Sequence, residues 1–290
     1  MSASRQPPLI SAIVSTYNAE RFMRGLLEDL ERQTIAQLLE IVIVDSNSPQ
    51  NEGAIVREFQ QHYDNIVYLR TEERENSHQS LNRCIQLSRG TYLTLACTDD
   101  RRRPDALERL VAVLEERPDI ALVYGDVAVT DQENQTWESA PLIGHFRYPE
   151  FDRRLLFQVC YLGPQPMWRR SLHDRYGYFD PDFWLAGDYE LWLRLALKEE
   201  FLHIPEVLGL YLLSLAGNEH AHPERMLRES EMARERHWPK AWGPRPSQSG
   251  GFFVPAKIFS KYYLKELLRH LRSFIYRNLP VRLNKSWKRA

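Results

Sequence analysis

The sequence predicts an α/β fold in which a mainly parallel sheet is covered by helices on both faces, followed by a C-terminal helical extension. Over the first 130 residues, apolar runs of strand length alternate with segments of helical periodicity, as in parallel sheets joined by helices. Three of the apolar runs end in polar residues, as strands do at the ligand-binding edge of such a sheet. With 290 residues, of which 43% are hydrophobic, the chain can bury a complete core.

The predicted elements follow one another in regular order. The apolar run at 9–15 predicts the first strand, and 20–33 predicts an amphipathic helix with Phe22, Leu26, Leu27 and Leu30 on one face. Further strands are predicted at 39–44, 66–70, 91–97 and 120–130. Helices are predicted at 51–63 and 77–88, and a third has Pro104 in its first turn, where proline is tolerated.

After residue 131 the alternation becomes less regular. Residues 131–150 resemble a variable loop, and they are followed by predicted helices at 171–176, 187–198 and 223–238 and an extended apolar run at 201–213. The Pro, Gly and Ser content after residue 239 marks a linker before a last helix at 255–279. We therefore predict one domain at 1–238 with halves at about 8–130 and 131–238, a linker at 239–254 and a helical tail at 255–290.

The net charge of −1 conceals an asymmetry between this tail and the rest of the chain. From residue 251 onward the chain carries +9, with Glu266 as the single acid, so residues 1–250 carry −10. Basic residues recur every three or four positions beside an apolar side, which predicts binding at an anionic membrane surface. Docking on the chain's own domain, or on a second subunit in a homodimer, is the alternative. The acidic body argues against a nucleic-acid partner.

Cysteine usage and hydropathy predict a soluble, cytoplasmic protein. Cys84, Cys97 and Cys160 show no paired or zinc-ligand spacing, which suits a reducing compartment. Residues 1–8 lack the apolar core of a signal peptide. The longest nearly uncharged apolar stretch, 207–217, is far shorter than the roughly 20 residues of a membrane-spanning helix. Peripheral attachment to the inner face of the membrane would be through the tail.

Two adjacent carboxylates, Asp99 and Asp100, follow the predicted strand at 91–97. Side by side they repel each other, and they gain most when a divalent cation shares the site. This end of a strand is also where open α/β sheets bind ligands. The pair therefore predicts metal-assisted phosphate chemistry. The alternative is a solvated start of the following helix, a place that acidic residues favour.

Five spaced blocks of the chain occur in the order seen in glycosyltransferase family 2, which the chain resembles over roughly residues 8–215. The blocks are Ser15-Thr16-Tyr17-Asn18, Val44-Asp45-Ser46, Asn82-Arg83-Cys84-Ile85 with Arg89-Gly90-Thr91-Tyr92, Thr98-Asp99-Asp100, and Gly187-Asp188-Tyr189-Glu190-Leu191-Trp192-Leu193-Arg194. Together they are far more specific than any one block. The resemblance implies an inverting, metal-dependent enzyme with a Rossmann-like GT-A fold, whose nucleotide-binding half is 8–130 and acceptor half 131–238.

The resemblance also implies ligands and site residues. The expected donor is a nucleotide-sugar, with a UDP-sugar favoured, the acceptor is a glycan or lipid-linked molecule, and the cofactor is Mn²⁺ or Mg²⁺. The implied pathway makes a surface polysaccharide or glycoconjugate. By resemblance, Asp100 binds the metal, Asp99 lies near the ribose, Asp45 accepts from the base ring, Thr16 and Tyr17 flank the base, and Asp188 is the general base. Taken alone, Asp45 would be read as a turn residue and Tyr17 as ordinary packing.

The predicted helix at 187–198 gives Asp188 a definite surrounding. Asp188 shares a helical face with Leu191 and Trp192, so we expect it on the packed side, with Glu190 pointing away in an exposed ion pair with Arg194. Apolar neighbours should raise the pKa of Asp188, whereas the helix N-terminus should lower it. The sequence leaves this balance open. A helix-capping role for Asp188 is the alternative.

The chain departs from the family pattern at several points. Gly187 replaces an acid that often precedes the base, and Cys97 stands just before the metal motif. The third metal ligand is open, because His220 and His222 could equally be surface residues. Residues 163–168 either line the acceptor pocket or form a rigid turn.

The motifs of other enzyme classes differ from these blocks. The Q-x-x-R-W signature of processive synthases is absent, which favours single sugar addition. A nucleotidyltransferase would need a Gly-rich basic loop after the first strand, and an aspartyl phosphatase would need acids there; neither is present. A non-catalytic nucleotide-sugar-binding module stays open in case Asp188 does not act.

Overall fold

The computed structural model describes residues 7–214 and 222–243, which form one mixed sheet with helices on both faces. The strands are β1 Ile10–Thr16, β2 Leu39–Asp45, β3 Ile66–Arg70, β4 Tyr92–Leu95, β5 Arg101–Arg102, β6 Ile120–Thr130, β7 Gly144–Phe146, β8 Met167–Arg169 and β9 Glu200–Leu212. The helices are α1 Glu20–Glu31, α2 Glu52–Phe59, α3 Ser77–Leu87, α4 Ala106–Glu116, α5 Arg153–Leu156, α6 Leu172–Tyr176, α7 Gly187–Ala196 and α8 Pro223–His237. The predicted α/β class is confirmed.

The sheet has the order β3-β2-β1-β4-β8-β6-β9-β5, and β7 pairs with β6. β3, β2, β1 and β4 are mutually parallel, as the alternating pattern predicts. β8 then runs antiparallel between β4 and β6, and β9 is parallel to β6. The parallel strands β3, β2, β1 and β4 thus all lie within the predicted nucleotide-binding half at 8–130, whereas β5 and β6 of the same half belong to the mixed part of the sheet.

Two apolar cores cover the two faces of the sheet because successive side chains of a strand point to opposite faces. In β1, Ile13 belongs to the core formed with α3, α6 and α7. Its neighbours Ala12 and Val14 belong to the core formed with α1, α2 and α4. β1 and β2 are buried along nearly their whole length, as expected of parallel strands covered on both faces.

The sequence misses the shortest elements. β5, β7, β8 and α5 contain between two and four residues, too few to show a period. β8 forms because Trp168 pairs with both β4 and β6, and this side chain is fully buried. Trp168 is therefore a core residue and does not line an acceptor pocket.

Predicted boundaries differ from the observed ones by a few residues. The strand predicted at 91–97 is observed only as β4, and the helix predicted at 51–63 is shortened to α2. Of the predicted linker, Lys240–Trp242 forms one 3₁₀ turn, while residues 244–254 and the predicted tail at 255–290 lie outside the described residues. No helix within the described ranges is both long and apolar enough to cross a membrane.

The junction between α3 and β4 is closed by a buried carboxylate. Glu40 Oε1 accepts hydrogen bonds from Ser11 Oγ at 2.6 Å and from the Gly90 amide at 3.1 Å. Gly90 packs directly on β1, where an added Cβ would lie 2.6 Å from Ser11 Oγ and 2.8 Å from the Ile10 carbonyl carbon. The Arg89–Tyr92 block thus has a packing role that requires glycine.

Candidate active site

The loops after β1 and β2 lie side by side at the carboxyl edge of the parallel strands. Thr16 pairs with Asp45 in the sheet register, and the Ser46 amide donates to the Thr16 carbonyl at 3.0 Å. Each loop turns through an asparagine of positive φ, Asn18 at 54° and Asn47 at 51°, a backbone region that asparagine tolerates better than most residues. The predicted base-binding residues are therefore neighbours.

Asp45 is completely buried and is engaged by the protein itself. Its Oδ1 accepts the Ser48 amide at 2.8 Å, while its Oδ2 accepts Tyr68 Oη at 2.6 Å and Arg70 Nη1 at 2.7 Å. Burial and then the nearby Asp45 carboxylate raise the pKa of Tyr68 to about 12, so the phenol stays a donor. A base contact by Asp45 would have to replace one of these bonds, whereas the Arg70 side chain is 42% exposed.

Tyr17 and Thr16 differ in their exposure at the same edge. The Tyr17 ring is 37% exposed, and the Arg74 guanidinium carbon lies 3.0 Å from its centroid. Thr16 is buried, and its Oγ1 has no hydrogen-bond partner among the described residues. An exposed aromatic ring is a surface on which a planar base could stack. The Thr16 hydroxyl, in contrast, is buried from solvent in this conformation. The sequence analysis did not identify Arg70 or Arg74.

Glu52, a third residue that the sequence analysis did not identify, connects these loops through hydrogen bonds. Glu52 is fully buried at the start of α2, and its Oε1 accepts the Ala19 amide and Ser48 Oγ, each at 2.8 Å. Ser48 Oγ also accepts the Asn18 amide at 3.0 Å. Glu52 thus ties the loop after β1 to the loop after β2. An acid in the first turn of a helix is so common that no sequence signal distinguishes it.

The turn after β4 holds Asp99 half-buried and Asp100 buried. Asp100 Oδ1 accepts the amide of Leu212, at the end of β9, at 3.1 Å. The helix α4 starts later, with Asp105 at its N-cap, so neither acid caps it. Arg101, which is also buried, donates from Nη1 to the carbonyls of Thr98 at 2.9 Å and Asp100 at 2.6 Å, and so clamps the turn.

Carboxylates from distant parts of the chain act on the Cys97 side chain. This side chain reaches solvent, although protein atoms crowd around it. This burial, followed by the carboxylates of Asp100, Asp99 and Asp188, raises the pKa of the Cys97 thiol well above its usual value. Asp188 makes the smallest contribution of the three acids, so α7 begins within the range of charge interactions with the residue that precedes the Asp99–Asp100 turn.

These carboxylates fit a divalent cation only in part. Among the described residues, no group of three or more His, Cys, Asp or Glu side chains could hold a metal ion. Carboxylate oxygens are the ligands that Mg²⁺ prefers, and this ion is usually held by one or two carboxylates together with phosphate and water. Asp99 and Asp100 therefore fit a cation that binds with a phosphate ligand. His222 is exposed before α8, and His220 lies outside the described residues.

Asp188 lies in the first turn of α7, where its Oδ1 accepts the Tyr189 amide at 2.7 Å. It is half-buried, and Ala186 is the N-cap, so Asp188 does not cap the helix in the usual position. Leu191 and Trp192 on the same helix are buried, as predicted. The carboxylate is thus partly accessible at the edge of the packed side of the helix.

The prediction that Glu190 is exposed is wrong. Its side chain is 2% exposed, and its Oε1 contacts His237 Nε2 at 2.6 Å while its Oε2 accepts Arg194 Nη2 at 2.7 Å. Burial alone would raise the pKa of Glu190, but hydrogen bonds from His237 and Arg194 lower it. The ion pair with Arg194 is confirmed. The helix α8 packs on α7. It therefore covers the side of α7 that the helical pattern of the sequence assigns to solvent.

The fold and the family match together define a glycosyltransferase of GT-A type. The sequence profile of glycosyl transferase family 2 matches residues 11–177, and the chain belongs to this family. Asp188 lies beyond the matched residues.

The chain is 24% identical over 241 residues to an uncharacterized glycosyltransferase of Methanocaldococcus jannaschii, covering 82% of each. It is 26% identical over 203 residues to a PGL/p-HBAD biosynthesis glycosyltransferase of Mycobacterium tuberculosis, covering 68% of this chain and 75% of the relative.

Solved structures share the fold. The chain resembles S. aureus TarS 1-349 in complex with UDP-GlcNAc, with a TM-score of 0.59, 18% identity, and coverage of 80% of this chain and 74% of that one. It also resembles the mannosyltransferase PcManGT from Pyrobaculum calidifontis in complex with GDP-Man and Mn²⁺, with a TM-score of 0.55, 16% identity, and coverage of 93% and 81%. At this identity the likeness concerns the fold alone.

Proposed function

We propose that this glycosyltransferase moves one sugar from a nucleotide-sugar to an acceptor hydroxyl, with inversion at the anomeric carbon. The observation that carries the proposal is the placement of Asp99 and Asp100 at the carboxyl end of β4, where Asp100 is fixed by the Leu212 amide and where the charge of Asp188 also acts on Cys97. Two of these acids follow β4 and the third lies on α7. A site to which separate elements contribute carboxylates suits a reaction that needs a cation at one point and a base at another.

The donor would bind at the carboxyl edge of β1, β2 and β3. Tyr17 offers a ring for stacking. Thr16 would contact the base only if its buried hydroxyl became accessible, and Asp45 only through exchange of a bond it now makes. The exposed Arg70 guanidinium beside Asp45 favours a base whose edge carries carbonyl oxygens, since guanidinium groups donate and do not accept. A UDP-sugar meets this requirement, and similar structures were solved with UDP-GlcNAc and with GDP-Man.

A Mn²⁺ or Mg²⁺ ion would be held by Asp100, with Asp99 beside it near the ribose. When bound, such an ion neutralises the charge that develops on a departing nucleoside diphosphate. Asp100 is suited to this task because the Leu212 amide and the Arg101 clamp fix the turn on which it stands. Phosphate and water oxygens would supply the remaining ligands, as is common for Mg²⁺.

Asp188 would act as the general base. Inversion requires a group that takes the acceptor hydroxyl's proton while that oxygen attacks from the face opposite the nucleotide. The half-buried carboxylate of Asp188 stands near Asp99 and Asp100 but on a different element, so it can face the acceptor while they face the donor. Transfer would be non-processive, and the acceptor would be a glycan or lipid-linked molecule of a surface polysaccharide or glycoconjugate pathway.

A nucleotide screen tests this function. Calorimetric titration with UDP, GDP, dTDP and CDP, each with and without Mn²⁺, is expected to show binding that depends on the metal and favours UDP. The matching sugar donor should then release its nucleoside diphosphate slowly in the presence of Mn²⁺. Metal-dependent binding without any such release would favour a non-catalytic nucleotide-sugar-binding module. Absence of binding by all four nucleotides would contradict the proposal.

A further inference from the structure

We propose that Glu229 on α8 is a positioning residue for the general base, because its carboxylate fixes the turn from which α7 begins. The inference rests on the proposed role of Asp188, which is the second residue of α7, after the N-cap Ala186 and the first residue Gly187. Glu229 forms its hydrogen bonds with backbone amides that precede Asp188 and with Arg225. It would act on Asp188 through the backbone.

Glu229 gathers three consecutive backbone amides. Its Oε2 accepts the N–H groups of Trp184 at 2.9 Å, Leu185 at 2.7 Å and Ala186 at 3.1 Å. The residue is 4% exposed. Burial alone would raise the pKa of Glu229, but these amides and Arg225 lower it below the usual value, so the carboxylate is ionised at neutral pH. Hydrogen bonds to an ionised acceptor are about twice as strong as neutral ones.

The start of α7 depends on such an outside group. The N-cap residue is Ala186, which has no side chain able to accept an amide of the first turn. Amides at a helix start carry positive potential and need partners, and a carboxylate placed there is favourable. Glu229, on a helix more than 40 residues further along the chain, supplies this partner to the N-cap amide of Ala186 and to the two amides before it, and not to the amides of the first turn. Its hydrogen bonds end at the residue before Gly187.

The same segment is held from the opposite side by α3. His78 Nδ1 donates to the Phe183 carbonyl at 2.9 Å, and Asn76 Nδ2 donates to the Pro181 carbonyl at 2.8 Å. Gly187 lies against the His78 ring so closely that an added Cβ would be 2.7 Å from Cγ. Asp188 therefore stands just after a segment fastened to the donor half on one side and to α8 on the other. Its position follows from both attachments.

Arg225 keeps the Glu229 carboxylate oriented. Its Nε donates to Glu229 Oε1 at 2.7 Å, and its guanidinium carbon lies 4.5 Å from the centroid of the Trp184 ring. One carboxylate oxygen therefore serves Arg225 and the other serves the three amides. This division leaves Glu229 little freedom to turn away, which a positioning residue requires.

The experiment compares Glu229→Ala, Glu229→Gln and the control Glu224→Ala, which changes an exposed acid on the same helix. Three quantities are measured for each full-length protein: amide exchange of peptides covering 184–188, affinity for UDP with Mn²⁺, and the rate of UDP-sugar hydrolysis. Glu229→Ala should speed exchange at least tenfold and slow hydrolysis about 10- to 100-fold, because small misplacements of a reacting group cost that much. Its UDP affinity should stay within about twofold of the wild type.

The conservative variant separates positioning from general damage to the fold. The amide oxygen of Glu229→Gln can still accept the three N–H groups, so its hydrolysis rate should lie between those of the wild type and Glu229→Ala. Unchanged exchange in Glu229→Ala, or fast exchange with normal hydrolysis, would overturn the proposal. So would a parallel loss of UDP affinity. If the wild type neither binds nor hydrolyses a donor, the proposed function fails, and the exchange comparison alone judges whether Glu229 holds the turn.

Discussion

At the scale of single residues, Asp100 is a buried carboxylate held in place by the backbone around it. It is buried, its Oδ1 accepts a backbone amide from β9, and the preceding turn is clamped by a buried arginine. Burying a carboxylate costs free energy unless partners compensate. The arrangement supports the proposal that Asp100 serves as a fixed cation ligand.

Asp100→Asn should weaken Mn²⁺-dependent UDP binding at least about tenfold, because one of few charged metal ligands loses its charge. Calorimetry with and without Mn²⁺ measures the effect. Asp119→Asn is the matched control, since Asp119 is 59% exposed in a surface pair with Arg117. An affinity of Asp100→Asn equal to that of the wild type, with the metal present, would remove Asp100 from the proposed site.

The sequence predicted candidate site residues wherever they belong to a motif. It did not predict the hydrogen-bond partners of these residues. The sequence pointed to Asp45, Asp100 and Asp188, but nothing in it shows that Tyr68 and Arg70 occupy Asp45. Such partners are adjacent only after β2 and β3 pair. Glu190 was misjudged for the same reason, because a helical pattern cannot reveal that another helix covers the polar side.

At the scale of elements, the α3–β4 junction depends on the absence of a side chain at Gly90. Gly90→Ala should destabilise the protein by about 1–3 kcal/mol, because the methyl group would press on Ser11 and the backbone of β1. Urea unfolding measures the change. Gly144→Ala is the control, since a Cβ there meets nothing within 4 Å, and it should stay within about 0.5 kcal/mol. Equal stability of the two variants would contradict this prediction, because it would show that the α3–β4 junction accommodates a methyl group at position 90.

Long elements were predictable and short ones were not. β6 matches its predicted range, Ile120–Thr130, because eleven residues carry a clear β pattern. β5, with only two residues, is defined by its pairing with β9, and β8 by its place between β4 and β6. These strands owe their existence to tertiary contacts, which explains why the mixed second half of the sheet was beyond sequence reasoning.

At the scale of the whole molecule, the chain combines an acidic body with a strongly basic end. Residues 251–290 carry +9 and residues 1–250 carry −10. We propose that the basic end holds the enzyme at an anionic membrane surface, where a lipid-linked acceptor would be met. Each basic residue near such a surface contributes roughly 1 kcal/mol. Docking on its own domain or in a homodimer is the competing proposal.

Vesicle sedimentation distinguishes these proposals for the basic end. The full chain should pellet with anionic vesicles at low salt, and a chain truncated after Gly250 should stay in the supernatant. Raising the salt should release the full chain, because surface charges are screened. Neutral vesicles provide the control. Equal pelleting of the two chains with anionic vesicles would contradict membrane binding by this segment.

We propose that the residues at the carboxyl ends of the parallel strands hold the nucleotide-sugar and that Asp188 activates the acceptor. The most direct test is Asp188→Asn, with Asp182→Asn as the control, since Asp182 is an exposed acid on the preceding loop. Sugar transfer or donor hydrolysis is measured together with Mn²⁺-dependent nucleotide affinity. We predict that Asp188→Asn loses about 10²- to 10⁴-fold in rate, the usual contribution of a general base, and keeps its nucleotide affinity within about twofold. Retention of more than about a tenth of the wild-type rate would contradict the assignment of Asp188 as the base.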